Sequence, residues 1–581
     1  MNDSPLSRTD IGRIAALQKE RLDISSLPPQ DALNRILDFR QPAALVHSFP
    51  EEDLYFLVHD IGPDDALPLL SLASAKQLDF ILDREIWQKD RMDNQAVTHW
   101  FDLMMRADPN RFVNWLIREK IDLLEFYLYR NIEMKVREHD QDPSDFAEDF
   151  FTFDNVLYVR IIEDDPNPTD VSPDSESRQI QNEKRNHVLM KLLKSISFLD
   201  YSTYQNILFE SAQVLSAEAE EEAFRFRNVR LEEKGFLPFD EAISIYRPVD
   251  PGELISKRLK TGPSPRTQDQ VHRVPMAPFA MIRADSFFTH ALANILDENR
   301  RMKLQEEFAA LCNQIIVADQ KEVKKKEDLR PAVKKVCGYI SIGVERIIDD
   351  GDASADTADL LLRYPLFRLF QVGYGRIGEM RRRAIRWVKD SWFAGKGLPL
   401  SFWGEEWLGV LGGLLIKRPL FFDNYHTGVL YRDFESVEEL QRSEKMLNDI
   451  ITCNRLLFLM DINISPDFKL QQLSYKNLLL TAWVKNFFEL SDEPVLPTLN
   501  QFTVFYAKLW EGKDKRRKIR ESMKTSFLDF LAHKTGLKDF EITHQAGGIL
   551  EDLFLEIESE YAGVSLQNLD PGFIGLFLIR Y

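Results

Sequence analysis

The stretch Leu45-Val46-His47-Ser48-Phe49-Pro50-Glu51-Glu52-Asp53-Leu54-Tyr55-Phe56-Leu57-Val58 is matched by Leu69 to Leu82, 24 residues further along the chain. Three apolar positions coincide: Leu45 with Leu69, Leu54 with Leu78, and Phe56 with Phe80. Each copy carries an apolar triplet at i, i+3 and i+4, a spacing that places its members on one face of a helix. The triplets are Leu54, Leu57, Val58; Leu78, Ile81, Leu82; and Phe112, Trp115, Leu116. The stretch 41–130 therefore predicts a short helical unit that occurs three times.

Each copy also begins with a helix-start signal. Pro50 precedes three acids that suit the positive end of a helix. Ser74 with Gln77 has the spacing of a capping box, and Asp108 precedes a proline at the first helical position. A single helical hairpin cannot bury its apolar face alone, so stacked copies, a solenoid, are predicted. The alternative is a chance similarity among amphipathic helices.

The alternation of LVHSFPEEDLYFLVHD with LLSLASAKQLDFILDR resembles the superhelical N-terminal regulatory domain of bacterial magnesium-transporter proteins, over about residues 30–130. In that family short helices form a right-handed solenoid, and acidic residues at its edge take part in sensing divalent cations. The resemblance implies a divalent cation as an alternative ligand. No acidic motif matches residue by residue, so no site residue is carried over. The whole chain also resembles a bacterial, all-helical family of unknown function.

The composition narrows the class of protein. The net charge of −19 opposes binding to nucleic acid or to an anionic membrane, because both need a basic surface. The three cysteines have neither zinc-site nor disulfide spacing, which favours a reducing cytoplasm. The N-terminus has no signal-peptide pattern, and the apolar run from Trp407 to Ile416 is too short to cross a bilayer. We predict a cytoplasmic protein without membrane insertion.

Composition shifts divide the chain into six predicted segments. They are an N-terminal arm (1–28), a helical-repeat domain (29–139), an acidic segment with a short hairpin and a disordered loop (140–185), a helical-hairpin continuation (186–260), a linker (261–278) and a C-terminal helical domain (279–581). In the fourth segment, Gly235 is predicted to end a helix. The apolar stretch from Gly572 to Tyr581 predicts a C-terminal end ordered against the core or against a partner.

The acidic segment contains thirteen acids and two basic residues between Asp140 and Glu183. Two β-prone runs, 151–153 and 156–162, flank Asp154-Asn155 and predict a hairpin. Oxygen-rich loops suit Ca²⁺ or Mg²⁺, but the twelve-residue calcium-loop pattern is absent. A solvated acidic loop is the preferred interpretation. A second short hairpin is predicted between Arg418 and Tyr431.

Gly373-Tyr374-Gly375-Arg376-Ile377-Gly378 has the G-x-G-x-x-G spacing of dinucleotide-binding turns. No alternation of strands and helices follows it, so close helix packing is the preferred interpretation. Two basic stretches, 381–389 and 513–520, are interpreted as solvated helix faces or as partners of the acidic surplus elsewhere, with local nucleic-acid or phosphate binding as the alternative. The aromatic residues are interpreted as core, with a binding groove as the alternative: Phe402, Trp403, Trp407, Phe421, Phe422 and Tyr425.

The sequence predicts no catalytic, cofactor-binding or metal-ligating residue. It has no nucleophile elbow and no H-E-x-x-H pattern, and its ten histidines are scattered. The predicted fold is all-α, with a helical-repeat superhelix followed by a larger helical domain and at most one or two short β-hairpins. The function expected from this architecture is a non-enzymatic scaffold or adaptor that binds a protein partner through the repeat groove. The alternatives are a cation-sensing regulator and an enzyme with a dispersed site in the C-terminal domain.

Overall fold

The computed structural model describes residues 8–162, 175–213, 216–257, 274–282, 287–349, 356–462, 464, 473–490, 495–512 and 517–580. The polar loop predicted at 163–174 and the linker residues up to 273 lie outside the described residues, as do the first seven residues of the predicted arm. The fold is all-α, as predicted, and strands are confined to a few short pairs.

The described residues form two compact units. The described residues within 1–247, 253–340 and 352–371 form the first unit, and those within 248–252, 341–351 and 372–581 form the second. The helices are α1 Arg8–Ser25, α2 Pro29–Leu37, α3 Pro42–Ser48, α4 Glu51–Ile61, α5 Leu67–Leu72, α6 Ala75–Glu85, α7 Asn94–Ala107, α8 Pro109–Glu119, α9 Ile121–Asn131, α10 Ser175–Leu199, α11 Tyr201–Ser211, α12 Ser216–Glu232, α13 Phe239–Ala242, α14 Pro251–Lys257, α15 Ala277–Ala280, α16 Phe287–Ala293, α17 Glu298–Ala318, α18 Arg330–Asp349, α19 Thr357–Arg363, α20 Leu366–Asp390, α21 Trp392–Gly395, α22 Glu405–Leu415, α23 Val437–Leu459, α24 Tyr475–Phe487, α25 Leu499–Leu509, α26 Glu521–Thr535 and α27 Asp539–Tyr561. The six-segment division of the sequence stays a prediction.

The repeated stretch forms the helices α3 to α8, and each predicted start signal is in place. Ser74 and Gln77 make both hydrogen bonds of a capping box, and Asp108 accepts from the Arg111 N–H, 3.0 Å away. α3 packs on α5, α5 on α7, and α4 on α6. The members of the three apolar triplets are buried, except for half-buried Leu57. The winding of these helices into a superhelix stays a prediction.

The predicted hairpin is part of a three-stranded antiparallel sheet. Its strands are β3 Ile132–Val136, β4 Phe151–Thr152 and β5 Leu157–Ile161, in the order β3-β5-β4. Asn155 adopts a φ of 58° in the β4–β5 turn, as its residue type allows. The sequence does not predict β3, because β3 has no local partner and pairs with a strand some twenty residues away.

The second unit contains the other predicted hairpin, β6 Phe421–Phe422 with β7 Tyr431–Arg432. Two further pairs were not predicted: β1 Trp87–Gln88 with β2 Arg91–Met92 in the first unit, and β8 Trp510–Glu511 with β9 Lys518–Ile519 in the second.

The C-terminal segment is ordered against the core of its own unit. Phe577 is buried, and its ring centroid lies 4.9 Å from that of Phe502. The Leu578 N–H donates to Thr481 Oγ1 over 2.8 Å, and the Arg580 N–H donates to the Pro497 carbonyl over 2.9 Å.

Candidate functional site

An open cleft of about 870 Å³ lies in the first unit, between the three-stranded sheet and the helices α9, α10 and α11. We refer to it as the sheet cleft. Its lining residues are Tyr129, Ile132, Glu133, Met134, Asp149, Phe151, Arg160, Ile161, Ile162, Asn186, Met190, Ser211 and Ala212. Tyr129, Ile162 and Met190 are 39%, 42% and 37% exposed, although they line a common concavity. The cleft therefore has solvent-exposed apolar side chains and is open to a ligand.

The apolar wall of the cleft follows from the alternation of side chains along the strands. Ile132, Met134 and Val136 lie opposite Ile161, Val159 and Leu157, so these six side chains share one face of the sheet. Val159 and Leu157 are fully buried. Ile132 and Met134 reach the cleft, because it lies at the end of the sheet where β3 begins and β5 ends.

The opposite face of the sheet is covered by the loop that precedes β4. The Phe146 ring stacks on Tyr158 at a centroid distance of 3.8 Å, and Arg160 lies 4.9 Å from the Phe150 centroid. Arg160 also pairs with Glu133 and, at 3.2 Å, with Asp149. The three charged side chains in the cleft lining are thus paired with one another.

A polar acceptor and an unbalanced group of acids lie near the cleft. Asn186 Oδ1 is buried and has no hydrogen-bond donor among the described residues. One helical turn before Tyr129, burial and the neighbouring carboxylates of Asp122 and Glu210 together raise the pKa of Glu125 to about 7. Asp122, Glu125 and Glu210 therefore lie close enough to interact with one another.

Two of the acids that suggested a cation loop accept hydrogen bonds from the chain's own backbone. Asp142 accepts from the Ser144 N–H, 2.9 Å away, and Asp154 accepts from the N–H groups of Val156 and Leu157, at 2.8 and 2.7 Å. In the described ranges, no group of three or more His, Cys, Asp or Glu residues has an arrangement that could hold a metal ion. A divalent cation as ligand stays a prediction.

A second cluster of charge is buried at the start of α4. Glu51, Glu52 and Asp53, which the sequence explains as helix-start acids, are each less than a tenth exposed. Lys234 Nζ lies 2.9 Å from a Glu51 carboxylate oxygen and 3.3 Å from one of Glu52. The Asp53 carboxylate accepts hydrogen bonds from the N–H groups of Met276 and Ala277, at the start of α15. The cluster joins α4 to two segments that are distant in sequence, which is a structural role.

This cluster predicts a specific pH dependence. Burial raises the pKa of Glu52 from its ordinary value of 4.5 to about 7, although the Lys234 ammonium opposes the shift. The folded protein therefore holds this proton up to about pH 7 while the unfolded chain releases it near 4.5. The contribution of Glu52 to stability is present below pH 4.5 and decreases by about 3 kcal/mol as the pH rises to 7 and above.

Glu52→Gln is expected to remove that decrease. Between pH 5 and pH 8, urea unfolding should show the variant gaining about 2–3 kcal/mol relative to the wild type. Glu119→Gln, at an exposed position, serves as the control and should follow the wild type across the same range. Parallel pH profiles for wild type and Glu52→Gln would contradict the raised pKa.

One buried trio has residue types used in catalysis. The Tyr55 hydroxyl donates to Glu85 Oε1 over 2.6 Å, and His59 Nε2 lies 3.2 Å from the same oxygen. These two contacts hold the pKa of Glu85 at about 2, against the opposing effect of burial. The side chains of His59 and Glu85 are each only 9% exposed, which leaves little room for a substrate. The trio links α4 to α6.

The glycine motif lies inside the helix α20. A dinucleotide-binding turn needs a strand before the glycines and a helix that begins at them, so the structure rules out that alternative. The three glycines are part of one continuous helix.

The two basic stretches have different surroundings. Arg382, Arg383 and Arg386 are exposed on α20, as expected for a solvated face. In the second stretch, residues 513–516 lie outside the described part, while Arg517 donates to the Ala562 carbonyl and Arg520 donates to that of Trp510. Arg517 and Arg520 thus bind the protein's own backbone, while Lys518 is exposed.

The aromatic group is mainly core. Phe402 and Trp403 are almost fully buried, and Trp407 stacks on Tyr475 at a centroid distance of 4.6 Å. Tyr425 is exposed and does not share this environment.

A family model described as "Family of unknown function (DUF6178)" matches residues 10–580. The chain belongs to this family. The predicted resemblance to a family of unknown function is thereby confirmed, while the resemblance to magnesium-transporter domains is not confirmed. No curated protein and no solved structure matches the chain. Among the described helices, none combines the length and the apolar character needed to cross a membrane.

The sequence predicts only one part of the sheet cleft, the β4–β5 hairpin. The β4–β5 hairpin was predicted from its local pattern. Tyr129, Met190 and the strand β3 were not singled out, because nothing in their own segments indicates that they meet at this hairpin. The exposed apolar residues of α10 read as part of an ordinary amphipathic helix.

Proposed function

We propose that this protein is a non-enzymatic cytoplasmic adaptor that binds a protein partner in the sheet cleft. The observation that carries the proposal is the concave group of half-exposed apolar side chains, Tyr129, Ile162 and Met190, beside an acceptor without a donor, Asn186 Oδ1. Protein interfaces combine an apolar, desolvated centre with a few directed polar contacts.

We place the docking surface at the sheet cleft, and not in the groove between the helices of the predicted repeat. The apolar triplets of the repeat are occupied in packing α3 to α8 against one another. Tyr129, Ile162 and Met190 in the cleft, in contrast, each keep more than a third of their surface in contact with water. A partner that covers them gains the free energy of removing that surface from water.

The adaptor function predicts that Met190→Arg abolishes partner binding. Arginine at this position places a charge and a longer side chain in the cleft, so a partner would have to bury an unpaired guanidinium. The expected result is loss of one stoichiometric protein from tagged full-length chain purified from its native cells at moderate salt, as measured by mass spectrometry. Because Met190 is partly exposed, the variant should keep the wild-type circular dichroism spectrum and unfolding midpoint.

Leu555→Arg is the matched control, since Leu555 is an exposed apolar residue on the surface of α27 in the other unit. It should retain the partner. Cross-links from the partner should fall on residues 129–134 and 186–190. A partner that is captured equally by Met190→Arg, or a wild-type chain that is recovered without any partner, would overturn the proposal.

A further inference from the structure

The strand β3 is an edge strand, since the order of the sheet is β3-β5-β4. The Ile162 N–H donates to the Asn131 carbonyl, and the Arg137 N–H donates to that of Val156. Hydrogen-bonded pairs alternate along antiparallel strands, so the odd-numbered residues of β3 bond to β5. The backbone groups of Ile132, Met134 and Val136 therefore point away from the sheet.

This outer edge is open to pairing. No hydrogen bond from elsewhere in the described chain reaches the N–H of Met134. Met134 is half-buried and Val136 is exposed, so helices do not cover the strand along its length. β3 contains neither proline nor a bulge, two devices that commonly block edge strands. It does contain Lys135, whose ammonium lies 3.4 Å from Glu133 and 4.8 Å from the Phe150 centroid.

The surroundings on the two faces of the sheet determine which side chains an added strand would need on each face. On the face of Ile132 and Met134, the added strand would place its side chains beside the apolar wall of the cleft. On the other face they would lie beside Glu133, Lys135 and Arg137. Residues 133–150, which include the loop that covers this face, carry seven carboxylates against two lysine or arginine side chains, so the surroundings have an acidic surplus. Apolar residues on one face and basic residues on the other fit these surroundings.

We propose that the partner segment is an extended peptide of alternating apolar and basic residues, which pairs with the outer edge of β3 and enlarges the sheet to four strands. Main-chain hydrogen bonds to Met134 would supply affinity, and the side-chain alternation would supply specificity. This inference rests on the proposed adaptor function and names the chemistry of its partner.

The test uses the full-length chain and a short synthetic peptide that alternates lysine with valine, with binding followed by fluorescence anisotropy. Met134→Pro removes the outward N–H without touching the bonds to β5, a position at which edge strands tolerate proline. It is expected to weaken binding by about tenfold or more, because a strand-pairing hydrogen bond is lost and the added strand is displaced. Met134→Ala retains the N–H and should bind within about threefold of wild type, since only part of a half-buried side chain is lost.

A change in the peptide provides the same test without altering the protein. Methylating the backbone nitrogens of alternate residues blocks pairing on one edge of the peptide, and the peptide methylated on the edge that faces β3 should not bind to wild-type protein. A peptide that alternates glutamate with valine should not bind either. Raising the salt from about 50 to about 500 mM should weaken binding of the lysine peptide severalfold, because exposed charge pairs are screened.

The outcomes separate the two proposals. Equal binding of the lysine peptide to wild type and Met134→Pro, or of methylated and unmethylated peptides to wild type, would overturn strand pairing. Binding of the glutamate peptide as strong as that of the lysine peptide would overturn the charge assignment. A native partner lost from Met190→Arg but unaffected by Met134→Pro would overturn this inference while supporting the adaptor function. A native partner retained by both variants would overturn the adaptor function itself.

Discussion

Replacing Lys234 by methionine is expected to lower the free energy of unfolding of the first unit by about 3–5 kcal/mol. The ammonium of Lys234 contacts both Glu51 and Glu52 at the start of α4, and both carboxylates are buried. Methionine fills a similar volume without the charge. The change therefore leaves two neighbouring buried carboxylates without the cation they share, a larger penalty than the value of the pair itself.

Urea unfolding at pH 8, followed by circular dichroism, measures this loss. Lys191→Met, on the exposed surface of α10, is the control and should stay within about 0.5 kcal/mol of the wild type. At pH 5 the loss from Lys234→Met should be smaller, because the pKa of Glu52 is raised to about 7 and its carboxyl group is then neutral. Adding Glu52→Gln to Lys234→Met should restore part of the stability at pH 8. A loss below about 1 kcal/mol at pH 8 would show that the cluster is not stabilised by this lysine.

Gly235→Ala is expected to destabilise the first unit by about 3 kcal/mol or more, because two separate penalties add at this position. The residue has a φ of 84°, which L side chains rarely adopt. An added Cβ would also lie 2.4 Å from the Ala310 carbonyl oxygen, and a backbone atom cannot move aside as a flexible side chain can.

Gly536→Ala separates the two penalties. Gly536 ends α26 with a φ of 72°, and an added Cβ there meets nothing within 4 Å. This variant should cost only about 1 kcal/mol, the usual penalty for a left-handed conformation. Thermal unfolding of both variants, with tryptophan fluorescence and circular dichroism as probes, provides the comparison. Similar losses for the two variants would contradict the contact between Gly235 and Ala310.

The helix end at Gly235 shows which features the local sequence predicts and which it does not. The sequence predicts a C-terminal cap there, and the structure has the corresponding hydrogen bonds, from the Gly235 N–H to the Glu232 carbonyl and from the Phe236 N–H to that of Leu231. The sequence contains no sign that the same glycine lies against the backbone of α17. That contact joins residues 75 positions apart, and only the folded chain determines it.

The candidate site divides in the same way. The hairpin of β4 and β5 follows from β-prone residues around a turn that tolerates positive φ, so its neighbourhood in sequence is sufficient to predict it. The strand β3 forms by pairing with β5, which is distant in sequence. The cleft is formed between the sheet and the helices α9, α10 and α11. Interactions over such separations leave no periodic pattern in either segment, and the cleft could not be predicted.

By itself the sequence determined the helical class, the predicted helix starts between α3 and α8, both predicted hairpins and the position of the Gly235 cap, because each depends on residues within a few positions of one another. Tertiary structure alone decided which surfaces remain available. It buried the helix-start acids of α4 against Lys234, 183 residues away, and left Tyr129, Ile162 and Met190 exposed around one cleft. Helix and turn signals arise from local backbone geometry and hydrogen bonding, whereas burial depends on every segment that packs against a residue, wherever it lies in the chain.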